Sequence, residues 1–157
     1  MILVTLGTQK FPMNRVIDEI DRLIEVGLVK REEIVIQNGY SKVSKYALCY
    51  KMISESKFES LLHATDLVIC HGGTSSIVKS LKTNKKVIAI PRKSQFKEHV
   101  DNHQAEIVEV FYQKGYLEKV ENIDELGKVI SEIKNKNFNK YHSSGELANF
   151  IVDMIIN

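Results

Sequence analysis

The chain alternates between short apolar runs and longer segments whose apolar residues recur with helical spacing. The short runs are rich in β-branched residues and predict strands at 2–6, 34–36, 67–70 and 87–90, with a weaker candidate at 46–53. Each run is apolar at consecutive positions, which is typical of strands buried on both faces of a sheet.

Helical spacing marks the segments between these strands. One apolar stripe runs along a helix of about four turns and comprises Met13, Val16, Ile17, Ile20, Leu23 and Ile24. Further helices are predicted at 56–64, 74–81, 102–113, 124–133 and 146–155, and hydroxyl residues are candidate N-caps for the one at 74–81. Strands that alternate with helices favour parallel pairing through right-handed crossovers. We therefore expect an α/β fold with a doubly wound, Rossmann-like parallel sheet.

Length and composition indicate one ordinary globular domain. The 157 residues are 43% hydrophobic and 27% charged, which excludes disordered and fibrous classes. We expect a single domain over 1–157, with a loop or hinge at 134–144 and a C-terminal helix at 145–157. Met1 leads directly into a strand-like run without a signal segment, so a cytoplasmic location is expected.

Cysteine and histidine spacing gives little support for a metal site. Cys49 and Cys70 form no CxxC pair and are interpreted as reduced, buried thiols. His99 and His103 are four positions apart but lack an HExxH pattern, and His63 is interpreted as a packing or surface residue. We expect no metal and no cofactor.

Basic residues are concentrated in one stretch, although the net charge is only +2. Residues 79–97 contain seven lysines and arginines and no acid. The stretch is consistent with a solvated helix face, with an anionic ligand site and with contact to an anionic membrane surface. Because Phe96 is the single aromatic residue among these charges, no nucleic-acid partner is expected.

Three loops are predicted to meet at the carboxyl ends of the strands, where open parallel sheets bind ligands. They comprise residues 7–9, 71–76 and 91–104. The second contains His71, Gly72, Gly73, Thr74, Ser75 and Ser76. Glycines allow a ligand to approach the backbone, and the amides and hydroxyls of a helix start can hold phosphate oxygens. His71 follows a strand and is expected to point into this crevice.

Several common catalytic motifs are absent. The chain contains neither a GxGxxG dinucleotide fingerprint nor a Walker A lysine motif. It also lacks the GxSxG nucleophile elbow that would accompany an HGG loop in an α/β-hydrolase. Dinucleotide cofactors and esterase chemistry are therefore not expected.

Four stretches, in this order and spacing, resemble a known family. They are VTLGTQKFPMNR (4–15), DLVICHGGTSSI (66–77), KKVIAIPR (85–92) and EHVDNHQ (98–104). Together they resemble the nucleotide-sugar-binding, carboxyl-terminal half of family 28 GT-B glycosyltransferases, over residues 1 to about 134. Within that family the chain is similar to the small subunits of two-component enzymes, both the capsule and exopolysaccharide galactosyltransferase type and the dolichol-pathway UDP-GlcNAc transferase type.

The resemblance implies the sugar-donor half of a two-component inverting enzyme. Such an enzyme moves a hexose from UDP-galactose or UDP-GlcNAc to a polyprenyl-diphosphate-linked saccharide. A separate membrane-anchored subunit supplies the acceptor domain and recruits the donor half to the inner face of the plasma membrane. Two alternatives remain open: a non-catalytic enhancer or scaffold of a partner glycosyltransferase, and a UDP-sugar epimerase-like protein.

The resemblance also assigns expected roles to residues. The diphosphate would contact Gly7, Thr8 and Gln9 in the first loop. It would also contact Gly73, Thr74 and Ser76 at the start of the following helix. Ile53, with Met52, would hold the uracil edge, unless the two are core residues. The transferred sugar would meet Asn102, His103 and above all Gln104, because an amide both donates and accepts hydrogen bonds. Arg92 or Lys93 would neutralise the leaving diphosphate. The catalytic base is expected from the partner, with His71 as a second choice.

Two positions depart from the family pattern. Lys79 stands where relatives carry an acid that accepts hydrogen bonds from the ribose hydroxyls, and a lysine cannot accept them. Ser75 replaces a frequent glycine and restricts the backbone beside the phosphates.

Overall fold

The computed structural model describes residues 1–142. Within that range the strands are β1 (Ile2–Thr5), β2 (Ile34–Gln37), β3 (Leu48–Tyr50), β4 (Leu67–His71), β5 (Lys86–Ile90) and β6 (Glu118–Lys119). The α-helices are α1 (Asn14–Glu25), α2 (Glu55–His63), α3 (Thr74–Lys82), α4 (His103–Gln113) and α5 (Leu126–Ile133). Short 3-10 turns occur at Arg31–Glu33, Ser94–Phe96 and Ile123–Glu125.

All six strands pair in parallel in one sheet, in the order β3-β2-β1-β4-β5-β6. Ile2 pairs with Ile34 on one side and with Leu67 on the other. The chain therefore runs outward from β1 in one direction and from β4 in the other. This arrangement confirms the predicted doubly wound α/β class, and it creates a switch point between β1 and β4, where such sheets bind ligands.

Helices cover both faces of the sheet. Val4 and Ile69 belong to a buried cluster with the apolar sides of α1 and α5. Leu3 and Val68 point to the other face, where they join a second buried cluster with α2, α3 and α4. Because neighbouring strand residues face opposite sides, burial on both faces requires the consecutive apolar runs seen in the sequence.

The start of α3 differs from its predicted form. Its N-cap position is Gly73, which has no side chain and makes no side-chain cap hydrogen bond. The hydroxyls of Thr74, Ser75 and Ser76 lie inside the first turn instead of preceding it. By contrast, α2 is capped by Ser54, whose hydroxyl accepts from the Lys57 amide at 3.2 Å. The first amides of α3 are therefore left without the side-chain partner that usually satisfies them.

The remaining differences concern the last third of the chain. Strand β6 was not predicted, because its two residues are both charged. The predicted helix at 124–133 begins with a 3-10 turn, and its α-helical part starts at Leu126. The predicted loop at 134–144 contains neither helix nor strand as far as residue 142. The predicted C-terminal helix, at 146–155 within 145–157, lies outside the described residues.

Candidate functional site

A cleft of about 420 Å³ lies at the carboxyl ends of the central strands. Its walls are the loop after β1, the start of α2 and the turn between β4 and α3. Of the predicted site residues, eight line it: Gly7, Thr8, Gln9, Ile53, His71, Gly73, Ser75 and Ser76. A larger cavity, about 570 Å³, lies at the opposite ends of the strands and contains none of the predicted site residues.

The predicted residues fall into two groups. Gly72, Thr74, Arg92, Asn102, His103 and Gln104 are absent from the cleft wall. Most of them lie behind it, in the loop after β5 and the first turn of α4. The structure thus brings the first two predicted loops together at the cleft and places the third loop behind His71.

The His71 ring occupies a slot between two glycines. A Cβ atom added to Gly7 would lie 2.7 Å from Nε2 of His71, and one added to Gly73 would lie closer still to its Cε1. Real side chains do not approach so closely, so both positions require glycine. These glycines therefore accommodate the imidazole ring, in addition to leaving the backbone open toward the cleft.

Gly72 serves a different contact. A Cβ atom there would lie 2.8 Å from Cβ of Gln104 and 3.1 Å from Cγ2 of Val108. The missing side chain allows α4 to approach the β4–α3 turn closely. This approach brings the Gln104 side chain to His71, where its Nε2 lies 3.4 Å from Nδ1 of the ring.

Burial keeps His71 neutral at physiological pH. Desolvation, followed by the nearby positive charge of Arg92, lowers the pKa of His71 to about 4, and His99 acts in the same direction. At neutral pH a histidine with this pKa is a neutral imidazole with one N–H group. It can accept or donate a hydrogen bond, but it carries no charge of its own.

Arg92 does not face the cleft, which contradicts its predicted role at the diphosphate. Its side chain is fully buried, and the guanidinium donates to the carbonyl oxygens of Leu6, Phe11 and Glu98. Burial lowers the pKa of Arg92, although nearby Glu98 opposes this shift. The arginine ties the loop after β1 to the loop after β5, because its fork of N–H groups can reach several carbonyls at once.

The sequence did not predict the ion pair that lies beside Arg92. Arg15 donates to both carboxylate oxygens of Glu98 at 2.9 Å and to the Pro91 carbonyl at 3.1 Å. Glu98 is buried and also accepts from the Lys93 amide at 3.1 Å. The contact joins residues far apart in sequence, and local patterns carry no signal for it.

Asn102 and His103 have local roles at the start of α4. The Asn102 side-chain oxygen accepts from the Ser94 amide at 3.0 Å and closes the loop after β5. The His103 amide donates to Asp101 at 3.0 Å, and its ring lies 3.2 Å from Glu106. Neither side chain lines the cleft, so the structure gives no support to their predicted contact with the sugar.

Gln37 fixes the turn that carries Gly7. Its side-chain oxygen accepts from the Thr5 hydroxyl at 2.9 Å and the Gly7 amide at 3.2 Å, and its amide donates to the Gly7 carbonyl at 2.9 Å. Gly7 adopts a φ of +79°, which favours glycine. A polar residue at the end of a buried strand was the available sequence signal for this role.

Lys79 lines the cleft together with an acid. Its ammonium group lies 2.8 Å from the Glu55 carboxylate, and both side chains are substantially exposed. The hydrogen bond from Lys79 lowers the pKa of Glu55 below its usual range. The cleft therefore contains an ionised carboxylate from α2, although position 79 itself is basic.

Little of the basic stretch at 79–97 contributes to the cleft, since Lys79 is its one member in the wall. Lys85 and Lys86 lie near the opposite ends of the strands, where Lys86 donates to the carbonyls of Ile133 and Lys134. Among residues 1–142, no group of three or more acids, histidines or cysteines is arranged to hold a metal. None of the helices in this range is long and apolar enough to span a membrane.

The family model of the glycosyltransferase family 28 C-terminal domain matches residues 1–156. The chain belongs to this family. The match extends the resemblance from residues 1 to about 134 over nearly the whole chain.

Curated relatives of this family 28 domain include UDP-N-acetylglucosamine transferase subunit ALG13 from two yeasts. The Saccharomyces cerevisiae protein is 38% identical over 85 residues, which are 54% of this chain and 38% of that protein. The Candida glabrata protein is 33% identical over 93 residues, 59% of this chain and 44% of that protein. The match therefore spans less than half the length of these relatives.

Solved structures support the fold of the family 28 domain. The NMR solution structure of ALG13 superposes with a TM-score of 0.62 at 19% identity, covering 99% of this chain and 96% of that one. The crystal structure of Acinetobacter baumannii MurG gives a TM-score of 0.62 at 9% identity, covering 99% of this chain and 50% of that one. The fold thus corresponds to about half of the MurG chain.

Proposed function

We propose that this domain binds the UDP-sugar of a two-component glycosyltransferase. The observation that carries the proposal is the cleft at the switch point, where uncapped first-turn amides of α3 meet the turn at Gly7. Helix N-termini attract anions through their free N–H groups and the helix dipole. A diphosphate is an anion of the right charge for such a site, and family membership favours a nucleotide sugar.

The cleft offers hydroxyl and amide groups for the diphosphate. Thr8 and Gln9 are exposed on one wall, and Ser75 and Ser76 lie in the first turn of α3 on the other. These groups donate hydrogen bonds that stabilise negative charge as it develops on the leaving diphosphate. Lys79 also lines this cleft, where its positive charge is paired with the Glu55 carboxylate.

The uracil and ribose would lie toward α2. Ile53 and Phe58 provide apolar surface on that wall, while Met52 is exposed beside it. Glu55 accepts hydrogen bonds through an ionised carboxylate, and vicinal ribose hydroxyls require such an acceptor. In this protein Lys79 replaces the acid of the family pattern, and Glu55, held by Lys79, supplies the carboxylate from the neighbouring helix.

The remaining parts of the reaction would come from a partner subunit. The names of the ALG13 relatives describe a subunit of a transferase. The MurG chain is about twice as long as the part that this domain covers. A membrane-anchored partner would bring the donor half to a polyprenyl-diphosphate-linked saccharide of capsule or exopolysaccharide synthesis at the inner face of the membrane. It would supply the base that activates the acceptor hydroxyl, and transfer would invert the anomeric centre.

Lys79 favours a second candidate, a non-catalytic subunit that stabilises a partner glycosyltransferase. If Glu55 does not replace the missing acid, ribose binding is lost while the fold is retained. The cleft would then have no nucleotide to bind. UDP binding separates the two candidates directly.

Calorimetric titration of UDP into the purified chain tests the proposal. We expect saturable binding of UDP. Binding of UMP should be weaker, because UMP lacks one of the two phosphates. Binding of CDP should also be weaker, because its base differs from uracil. Ser76→Asp places a negative charge at the start of α3 and is expected to abolish binding. Glu59→Gln, on an exposed position of α2, is the control and is expected to bind like the wild type. If no binding is detected at millimolar UDP, the catalytic role is overturned and the stabilising subunit is favoured.

A further inference from the structure

The Gln104 side chain has a fixed orientation. Its Oε1 accepts a hydrogen bond from the Arg92 backbone amide at 3.1 Å. A backbone N–H can only donate, so the oxygen of Gln104 must face Arg92 and its NH2 group must face the other way. That NH2 group lies 3.4 Å from Nδ1 of His71.

The orientation of Gln104 determines where His71 carries its proton. The NH2 group of Gln104 donates, so Nδ1 of His71 accepts and is unprotonated. A neutral imidazole has one N–H, which must then be on Nε2. Burial and the positive charge of Arg92, aided by His99, hold the ring in this neutral form.

The protonated nitrogen faces the nucleotide cleft. Nε2 lies between Gly7 and Gly73, within 3 Å of the positions where their Cβ atoms would stand. These two glycines belong to the opposing walls that would hold the diphosphate. The N–H of His71 therefore points at the junction of the two walls.

We propose that Gln104 is a positioning residue which fixes the tautomer of His71, so that Nε2–H of His71 donates a hydrogen bond to the diphosphate. The proposal rests on the proposed function for its ligand, but its tautomer part concerns the free protein alone. It replaces two expectations drawn from the sequence. Gln104 has both polar groups engaged inside the fold and does not read the sugar, and His71 is a hydrogen-bond donor and does not act as the base.

The chain of contacts explains all three glycines around His71. Gly72 lets α4 approach, so that Gln104 can reach the ring, and Gly7 and Gly73 leave room for the ring itself. Arg92 contributes its backbone amide to Gln104 and holds the surrounding loops through its side chain. A side chain at any of these glycines would displace the ring or its partner.

Long-range proton–nitrogen correlation NMR of histidine-labelled protein tests the tautomer. The His71 signals are assigned from their absence in His71→Gln. We expect the wild type to show an unprotonated Nδ1 and a protonated Nε2. In Gln104→Glu the carboxylate accepts from Nδ1, so we expect the proton on Nδ1. A wild-type protein with its proton on Nδ1, or a Gln104→Glu variant with an unchanged pattern, would overturn the positioning role.

UDP titration of two His71 variants tests the hydrogen bond to the ligand. His71→Gln keeps an N–H donor near the position of Nε2, and His71→Met fills the slot without one. We expect the UDP affinity of His71→Met to fall roughly tenfold or more, because a hydrogen bond to a charged group is lost. The affinity of His71→Gln should stay close to that of the wild type. Equal affinities for the two variants would refute the donor role. If the wild-type chain itself does not bind UDP, the proposed function and the ligand contact both fail, and the NMR result alone decides the role of Gln104.

Discussion

Arg15 and Glu98, which are 83 positions apart, form a two-point ion pair with both N–O distances at 2.9 Å. Glu98 is almost completely buried, and the Arg15 side chain is 16% exposed. The pair fastens the loop after β5 to the first residues of α1. It therefore holds the loop between Arg92 and α4, whose Gln104 contacts His71 behind the cleft.

Glu98→Gln is expected to destabilise the fold by about 3 kcal/mol, because removing one partner leaves a mostly buried charge uncompensated. Urea unfolding measures the change. Glu32→Gln is the matched control, since Glu32 pairs with Arg31 at an exposed site and such pairs contribute less than about 1 kcal/mol. Equal losses in the two variants would contradict the role assigned to Glu98.

Gly7→Ala is expected to cost more stability than Gly27→Ala. Both glycines have positive φ, +79° and +78°, so alanine carries the same backbone penalty, roughly 1 kcal/mol, at each. Only at Gly7 does the new methyl group meet the His71 ring, whereas nothing lies within 4 Å at Gly27. Thermal unfolding of both variants measures the difference. Indistinguishable melting temperatures would show that the His71 ring can move aside for the methyl group at little cost.

His71 is expected to make folding stability fall as the pH drops from 6.5 toward 4. In the unfolded chain the histidine binds a proton near its usual pKa of 6.5, whereas in the folded protein its pKa is about 4. The unfolded state therefore gains protons first, which favours unfolding over this interval, and above pH 6.5 the contribution vanishes. At 1.36 kcal/mol per pKa unit, the cost approaches about 3 kcal/mol at the acidic end.

The comparison with His71→Gln isolates this effect from the titration of carboxylates. Arg92 and His99, which face His71, remain in both proteins. We expect the stability advantage of the wild type over the variant to shrink as the pH falls from 6.5 to 4, measured by urea unfolding at several pH values. Parallel curves would mean that His71 is protonated as easily in the folded protein as in the unfolded chain.

Glu55→Gln is expected to weaken UDP binding by roughly tenfold, since a hydrogen bond to a charged acceptor at an exposed rim becomes a neutral one. The loss should be smaller for 2′-deoxyuridine diphosphate, which lacks one of the hydroxyls that Glu55 would accept from. Calorimetry with both ligands measures the two losses. The same loss for both nucleotides, or no loss for either, would contradict the assignment of Glu55 to the ribose.

The strands that are buried on both faces could be predicted from the sequence, because a continuous apolar run such as 67–70 is typical of a central parallel strand. Strand β6 was missed, since its Glu118 and Lys119 pair through their backbones with Ile88 and Ala89 and show no apolar pattern. Arg92 was misassigned for a related reason. Its charge is visible in the sequence, but its acceptors are backbone carbonyls, two of them in the distant loop after β1, and backbone groups leave no side-chain signature.

The HGG motif was recognised as part of a site, but the detailed reason for its glycines required the structure. Sequence reasoning attributed both glycines to a ligand. The close approaches of His71 to Gly73 and of Gln104 to Gly72 depend on how α4 packs, which is a tertiary property. Glu55 was not predicted either, because its relation to Lys79 crosses from one helix to the next.

The pairing of β1 with β4 has a consequence for how the protein folds. Ile2 and Leu67 must meet across the intervening chain before the two halves of the sheet become one. Closing this segment costs more entropy than joining strands that are nearer in sequence, so this pairing is expected later than the pairing of β4 with β5. Since the cleft lies along this seam, a chain whose two sheet halves have not yet joined lacks the cleft, and under the proposed function UDP would favour the joined form.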